Sequence, residues 1–229
     1  VRGKAGDLVV VRHAEVRNPD GSLHTLALRG ARATDEYVLD GSGDEVLEPP
    51  FTFHGFRHVD IETTADVLRA EVVAISSDLP SRSSFACSDA RLNRLHENVV
   101  WSARGNFVSL PTDCPQRDER LGWTGDAQAF AATGATLLDS YTFWQSWLRD
   151  LELDQDDVLG VPSVVPDVVL EGPARFGRAG WADAATVVPW AVYESYGDPD
   201  ILVRQLDSMR RWVRSLEARE RPSGLLEPG

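Results

Sequence analysis

Residues Pro111 to Asp126 concentrate the side chains that could do chemistry. The run Pro-Thr-Asp-Cys-Pro-Gln-Arg-Asp-Glu-Arg-Leu-Gly-Trp-Thr-Gly-Asp holds four carboxylates, two arginines and a tryptophan, interspersed with two prolines and two glycines. Cleaving a glycosidic bond needs a carboxylic acid to protonate the leaving oxygen and a second carboxylate as base or nucleophile. Holding sugar hydroxyls calls for carboxylate acceptors and guanidinium donors. An indole face packs against the apolar side of a sugar ring. Asp113, Arg117, Glu119, Arg120, Trp123 and Asp126 supply all of these types. Composition alone supports equally a salt-bridged loop that clamps two helices, and it does not say which acid donates the proton.

The prolines and Gly122 preclude a regular helix through this stretch, so it must be an ordered loop held by its neighbours. After it, the small-residue run Asp126–Asp139 predicts a close-packing helix. Tyr141–Leu153 predicts another, with Phe143, Trp144, Trp147, Leu148 and Leu151 on one face. Leu159–Gly180, rich in proline and glycine, reads as a long loop. Trp181 then leads into a helix ending near Tyr196, and Gly197-Asp198-Pro199 introduces a last one over Asp200–Arg219. Before the loop, Ser88-Asp89 caps a helix that places Leu92, Leu95 and Val99 on one face and continues through Trp101. The pattern gives about six helices, whose alternating short and long connections suggest a helical barrel or toroid.

Residues 1–80 read as β-rich. Asp7–Val16 and Leu23–Leu28 flank the turn signal Asn18-Pro19-Asp20-Gly21 and predict a hairpin. Thr34–Leu39, the end of Phe51–Glu62 and Val67–Ser76 are further strand candidates, together suggesting part of an antiparallel sandwich. Ser81–Ser84 marks a domain boundary, giving 1–80 and 81–229. His13, His54 and His58 have no Cys or carboxylate partner at ligand spacing and read as hydrogen-bonded strand residues. Cys87 and Cys114 give neither a disulfide framework nor a metal motif, and Asp154–Asp157 lacks the ligand spacing of a calcium loop. No metal and no cofactor is expected. Most of the seven tryptophans are expected in the core.

The net charge of −13 argues against nucleic acid or an anionic membrane as partner. No apolar run is long enough to span a bilayer, and the N-terminus carries no signal pattern. A cytoplasmic location is the expectation, with secretion open if a leader precedes Val1.

The stretch Pro111–Asp126 closely resembles, without a gap, the signature of the bacterial α-L-rhamnosidases of glycoside hydrolase family 78. Val11–Glu15 with Asp20-Gly21, and Phe51–Arg57, resemble the β-sandwich that precedes the family's catalytic domain. Cys87–Asp89 and Gly180–Ala184 resemble segments of its (α/α)6 barrel. The resemblance implies an N-terminal antiparallel β-sandwich, in part, followed by an incomplete (α/α)6 toroid. It implies an inverting release of terminal rhamnose with Glu119 as general acid. Asp113, Arg117, Trp123 and Asp126 would line the rhamnose subsite, with Trp181 and Asp183 as its wall. The family's general base and a histidine near the sugar have no matching positions here. The chain is therefore expected to be an inactive piece of a longer enzyme, prone to self-association through exposed helix faces. A non-catalytic carbohydrate-binding module and a different glycosidase on a helical toroid are the alternatives.

Overall fold

The computed structural model describes residues 1–168, 170–172 and 175–220. The chain forms two compact units: Val1–Ile75 with Cys114–Arg120, and Ser76–Asp113 with Leu121–Gly229.

The first unit is built on β1 (Leu8–Ala14), which pairs antiparallel with both β2 (Thr34–Val38) and β3 (His58–Thr63). Val9, Val10, His13 and Ala14 of β1 are buried, consistent with its place at the centre of the sheet. The expected hairpin partner does not form. Leu23 makes only an isolated bridge to Arg17, and Leu26–Leu28 is a single 3-10 turn. Local bonds hold the intervening turn: Asp20 Oδ1 accepts from the backbone N–H of Ser22 at 2.9 Å, and His24 N–H donates to Val16. Leu26 is exposed and only Leu28 is buried, so no period-two apolar face exists to extend a ladder. Val67–Ser76 forms no strand either, and Val72, Val73 and Ile75 are exposed. Alternation without a face to cover does not select a strand.

The second unit holds five helices among the described residues: α1 (Ala90–Asn106), α2 (Thr124–Leu137), α3 (Tyr141–Asp154), α4 (Ala184–Tyr196) and α5 (Asp200–Glu217). Asp89 caps α1 by accepting the N–H of Arg91. Two short strands, β4 (Phe107–Val108) and β5 (Leu110–Pro111), follow α1 as a tight ribbon. The alanine and glycine face of α2 (Ala127, Ala131, Gly134, Ala135) lets neighbours approach closely, and the ring of Phe107 lies where a Gly134 Cβ would project. Phe143, Trp144, Trp147, Leu148 and Leu151 of α3 form the apolar face that their spacing predicts. On α5, buried Ser208 donates to Gln155 Oε1 at 2.7 Å while Gln155 Nε2 donates to the Ser208 carbonyl, so this polar pair is satisfied inside the core.

Three of the seven tryptophans, Trp144, Trp147 and Trp212, are fully buried, fewer than expected. Trp101 and Trp190 are about half exposed, as are Leu92 and Leu95, so of the apolar face read on α1 only Val99 packs against the core among the described residues. No helix among them is long and apolar enough to cross a membrane.

Among the described glycines of this unit, Gly122 leaves an added Cβ the least room. A Cβ there would lie 2.1 Å from the Val165 carbonyl oxygen, which in turn accepts from the buried indole of Trp147. Gly122→Ala is expected to destabilise the helical unit by about 2 kcal/mol or more. Denaturant titration followed by tryptophan fluorescence measures this.

Candidate functional site

The loop that the sequence singles out leaves β5 at Thr112 and is closed at its neck by a pair of hydrogen bonds. Asp113 N–H donates to the Leu121 carbonyl at 3.0 Å, and Leu121 N–H donates to Asp113 Oδ1 at 2.9 Å. The residues between, Cys114–Arg120, pack with the first unit.

Within that unit, Glu119 is the focus. Arg117 Nε lies 2.8 Å from Glu119 Oε2, Arg117 Nη2 lies 2.5 Å from the same oxygen, and Arg29 Nη1 reaches it at 3.1 Å. Three guanidinium N–H groups therefore converge on one carboxylate oxygen. They stabilise negative charge on Oε2 and fix the plane of the carboxyl group. The Glu119 side chain is largely buried, and the Arg29 side chain is half exposed. An exposed ion pair is worth at most about 1 kcal/mol to stability, so the consequence of the Arg29 contact is orientation rather than stabilisation.

Two further contacts hold the loop. Gly30 N–H donates to Asp118 Oδ2 at 2.9 Å. Arg120 lies over the ring of Phe53, 4.7 Å from its centre. Burial pushes the Arg120 guanidinium below its ordinary pKa, though arginine stays protonated at any working pH. Arg29 and Arg120 both adopt positive φ, near 56°, a conformation that costs a non-glycine residue about 1–3 kcal/mol. Arg29 is the residue that sequence reasoning missed. It lies 90 positions from Glu119, and no spacing rule joins them.

The second unit holds Asp113, Trp123, Asp126, Trp181 and Asp183. Trp123 N-caps α2, and Asp126 is exposed in its first turn. A cavity of about 330 Å³ is lined by Asn106, Phe107, Pro111, Asp113, Asp126 and Phe130, among others, within the size range of small-ligand clefts. Asn106 Oδ1 in its wall is buried without a hydrogen-bond partner among the described residues. Trp181 packs on Gly125, whose Cβ would lie 2.9 Å from the indole nitrogen, and stacks with Arg178. Both oxygens of Asp183 serve the fold. Oδ1 accepts from the Trp212 indole at 3.0 Å and Oδ2 from Gly180 N–H at 2.8 Å. The acidic run Asp154–Asp157 is similarly occupied: Asp156 Oδ1 accepts two turn N–H groups, and Asp154 Oδ2 accepts from Asp167 N–H.

The histidine reading needs correction. His13 and His54 are both hydrogen-bonded as expected, but His54 does have a carboxylate partner, Asp35 of β2, and His13, bonded to the Ala33 carbonyl, lies close to the pair.

Gly55 abuts the backbone of Gln116, with a Cβ there falling 2.9 Å from Gln116 Cβ and 3.0 Å from its Cα. Gly55→Ala is expected to loosen Cys114–Arg120 and make it a preferred cleavage site in limited proteolysis. Arg29→Ala is expected to shift the Glu119 carboxyl carbon signal, because one of three N–H donors leaves its Oε2, while Arg29→Lys retains part of the effect. Carboxyl carbon NMR of the 229-residue chain reads both.

Residues 80–227 match the family model described as the bacterial alpha-L-rhamnosidase six-hairpin glycosidase domain, and residues 1–77 match the one described as the bacterial alpha-L-rhamnosidase concanavalin-like domain. An alpha-L-rhamnosidase of Streptomyces avermitilis is 45% identical over 233 residues, covering 100% of this chain and 22% of its own length. Another, of Formosa agariphila, is 42% identical over 220 residues, covering 94% and 23%. The solved structure of the Streptomyces avermitilis enzyme complexed with L-rhamnose superposes with a TM-score of 0.85 at 43% identity, over 96% of this chain and 22% of that one. The native Aspergillus terreus enzyme gives 0.88 at 37% identity, over 99% and 26%. The chain thus spans roughly a quarter of the length of these relatives or less.

Proposed function

The chain belongs to the bacterial alpha-L-rhamnosidase family, and on that premise we propose that it carries the acid half of a glycosidase active site that releases terminal α-L-rhamnose with inversion. The observation that carries this reading is the match of both parts of the chain to the family's two domain models, and Arg29 and Arg117 fix the orientation of Glu119 by meeting at a single oxygen. With Oε2 occupied by three donors, the proton passed to the leaving glycosidic oxygen resides on Oε1. The arginines then hold the donor oxygen at a fixed angle and stabilise the carboxylate left behind once the proton has gone. The L-rhamnose complex of the Streptomyces avermitilis relative supports rhamnose as the sugar.

Arg117, Asp113, Trp123 and Asp126 are the sugar-holding residues of this proposal, with Trp181 and Asp183 as secondary members. Asp113 Oδ1 is committed to chain closure, so its sugar contact falls to Oδ2. Asn106 joins the set, because its unpartnered carbonyl oxygen can accept a hydroxyl hydrogen. In this mechanism a general base activates water on the opposite face of the sugar. No residue of the chain is assigned that part, which is placed beyond the portion of its relatives that this chain spans.

Two outcomes are expected. The 229-residue chain alone turns over no aryl α-L-rhamnoside. Completed with the remaining length of the Streptomyces avermitilis relative, it becomes active, and Glu119→Gln in that protein lowers kcat about 10²–10⁴-fold on glycosides with poor leaving groups. The loss is smaller on nitrophenyl rhamnosides, whose leaving group needs no proton. An equal loss on both substrate types would remove Glu119 from the role of acid.

A further inference from the structure

We propose that His13, Asp35 and His54 form a binding site for one divalent transition-metal ion, with zinc the best match. The three side chains come from β1, β2 and the segment just before β3, and one donor atom of each lies within 4.8 Å of the others. The site is desolvated: His13 is buried, and the side chains of His54 and Asp35 are 10% and 12% exposed.

The hydrogen bonds around the cluster fit ligation. His13 Nδ1 lies 3.0 Å from the Ala33 carbonyl. A carbonyl only accepts, so Nδ1 carries the hydrogen and Nε2 of the neutral ring presents its lone pair. That backbone anchor is the usual outer support of a metal-ligating imidazole. The His13 and His54 rings stack with centres 4.3 Å apart, and the tilted ring of Phe56 lies 4.9 Å from His13, restricting both rings. His54 Nε2 lies 3.0 Å from both oxygens of Asp35, a hydrogen-bond spacing that a shared cation would open by a few tenths of an ångström.

His54 Nδ1 is buried with no partner among the described residues, so one polar atom of the pair is stranded whichever nitrogen faces Asp35. An ion on the Asp35 side would take the lone pair of Nε2, which puts the ring hydrogen on Nδ1. Two imidazole nitrogens and one carboxylate oxygen form the mixed donor set that zinc accepts, with water completing four-coordination. Zinc–ligand distances of about 2.0–2.2 Å place tetrahedral donors roughly 3.4 Å apart, so the side chains need to close by about an ångström.

The site would staple β1 and β2 to residues 53–56. That same segment presents Gly55 to Gln116 and Phe53 to Arg120. A metal here would therefore brace the wall on which the Glu119 loop rests, away from the reacting atoms.

The test uses the purified 229-residue chain after chelator treatment. Calorimetric titration with zinc chloride is expected to give one site per chain and a rise in Tm, and cobalt substitution is expected to give the visible absorption of a four-coordinate nitrogen–oxygen site. His54→Gln and Asp35→Asn, checked for folding by circular dichroism, are expected to weaken zinc at least tenfold, while His58→Ala and His96→Ala leave it unchanged. Imidazole NMR of the unmutated chain keeps the test decisive if a variant misfolds: zinc should shift His13 and His54 and spare the other three histidines. Absence of stoichiometric binding, binding that survives His54→Gln, or shifts confined to other histidines would overturn the proposal and leave a histidine–aspartate hydrogen bond only.

Discussion

The reciprocal hydrogen bonding of Asp113 and Leu121 is the constraint on which the chemistry-bearing loop depends. A seven-residue excursion with two free ends would lose its order to chain entropy, at about 1–2 kcal/mol per residue. Here the ends are tied backbone to backbone and backbone to carboxylate. The ordering that remains is shared among short contacts, each modest: Gly30 with Asp118, Arg29 and Arg117 with Glu119, Arg120 with Phe53. None needs to be strong once the neck is closed, because each acts on a loop that has already lost most of its freedom.

That arrangement explains which parts of the molecule could be read from the sequence. Asp89, the aromatic face of α3 and the glycine after α4 are local signals, and local physics decided them. Pro111–Asp126 was legible as a loop with carboxylates and guanidiniums because prolines and glycines mark it directly. Arg29 was illegible, because its meaning depends on a turn that the chain forms 90 residues before Glu119. Asp35 was hidden for the same reason: the register that sets Val11 against Asp35 is a tertiary fact. The missed hairpin shows the opposite error. Asn18–Gly21 does turn the chain, but a turn signal says nothing of whether the returning segment has a face worth burying, and Leu23–Leu28 has none.

The carboxylates also divide in a way that residue type does not reveal. Asp183 and Asp156 look as acidic in the sequence as Glu119, yet their oxygens accept backbone or indole hydrogens and serve to hold turns and helices. Glu119 differs in that its Oε2 faces cations instead. Two guanidiniums on a carboxylate are poor economy for a purely structural loop, since one would neutralise it. Together they fix the orientation of the carboxyl group from two sides.

The neck also fixes how this segment can vary in length. Asp113 and Leu121 are eight positions apart, and both bonds between them require that number. One residue more or fewer between them would break the closure and shift Glu119 relative to both arginines. The turn at Asn18–Ser22 is solvent-exposed and held by its own side chains, so it can absorb insertions without disturbing its neighbours. A change of length is therefore expected to be tolerated at Asn18–Ser22 and to disrupt the seven residues between Asp113 and Leu121.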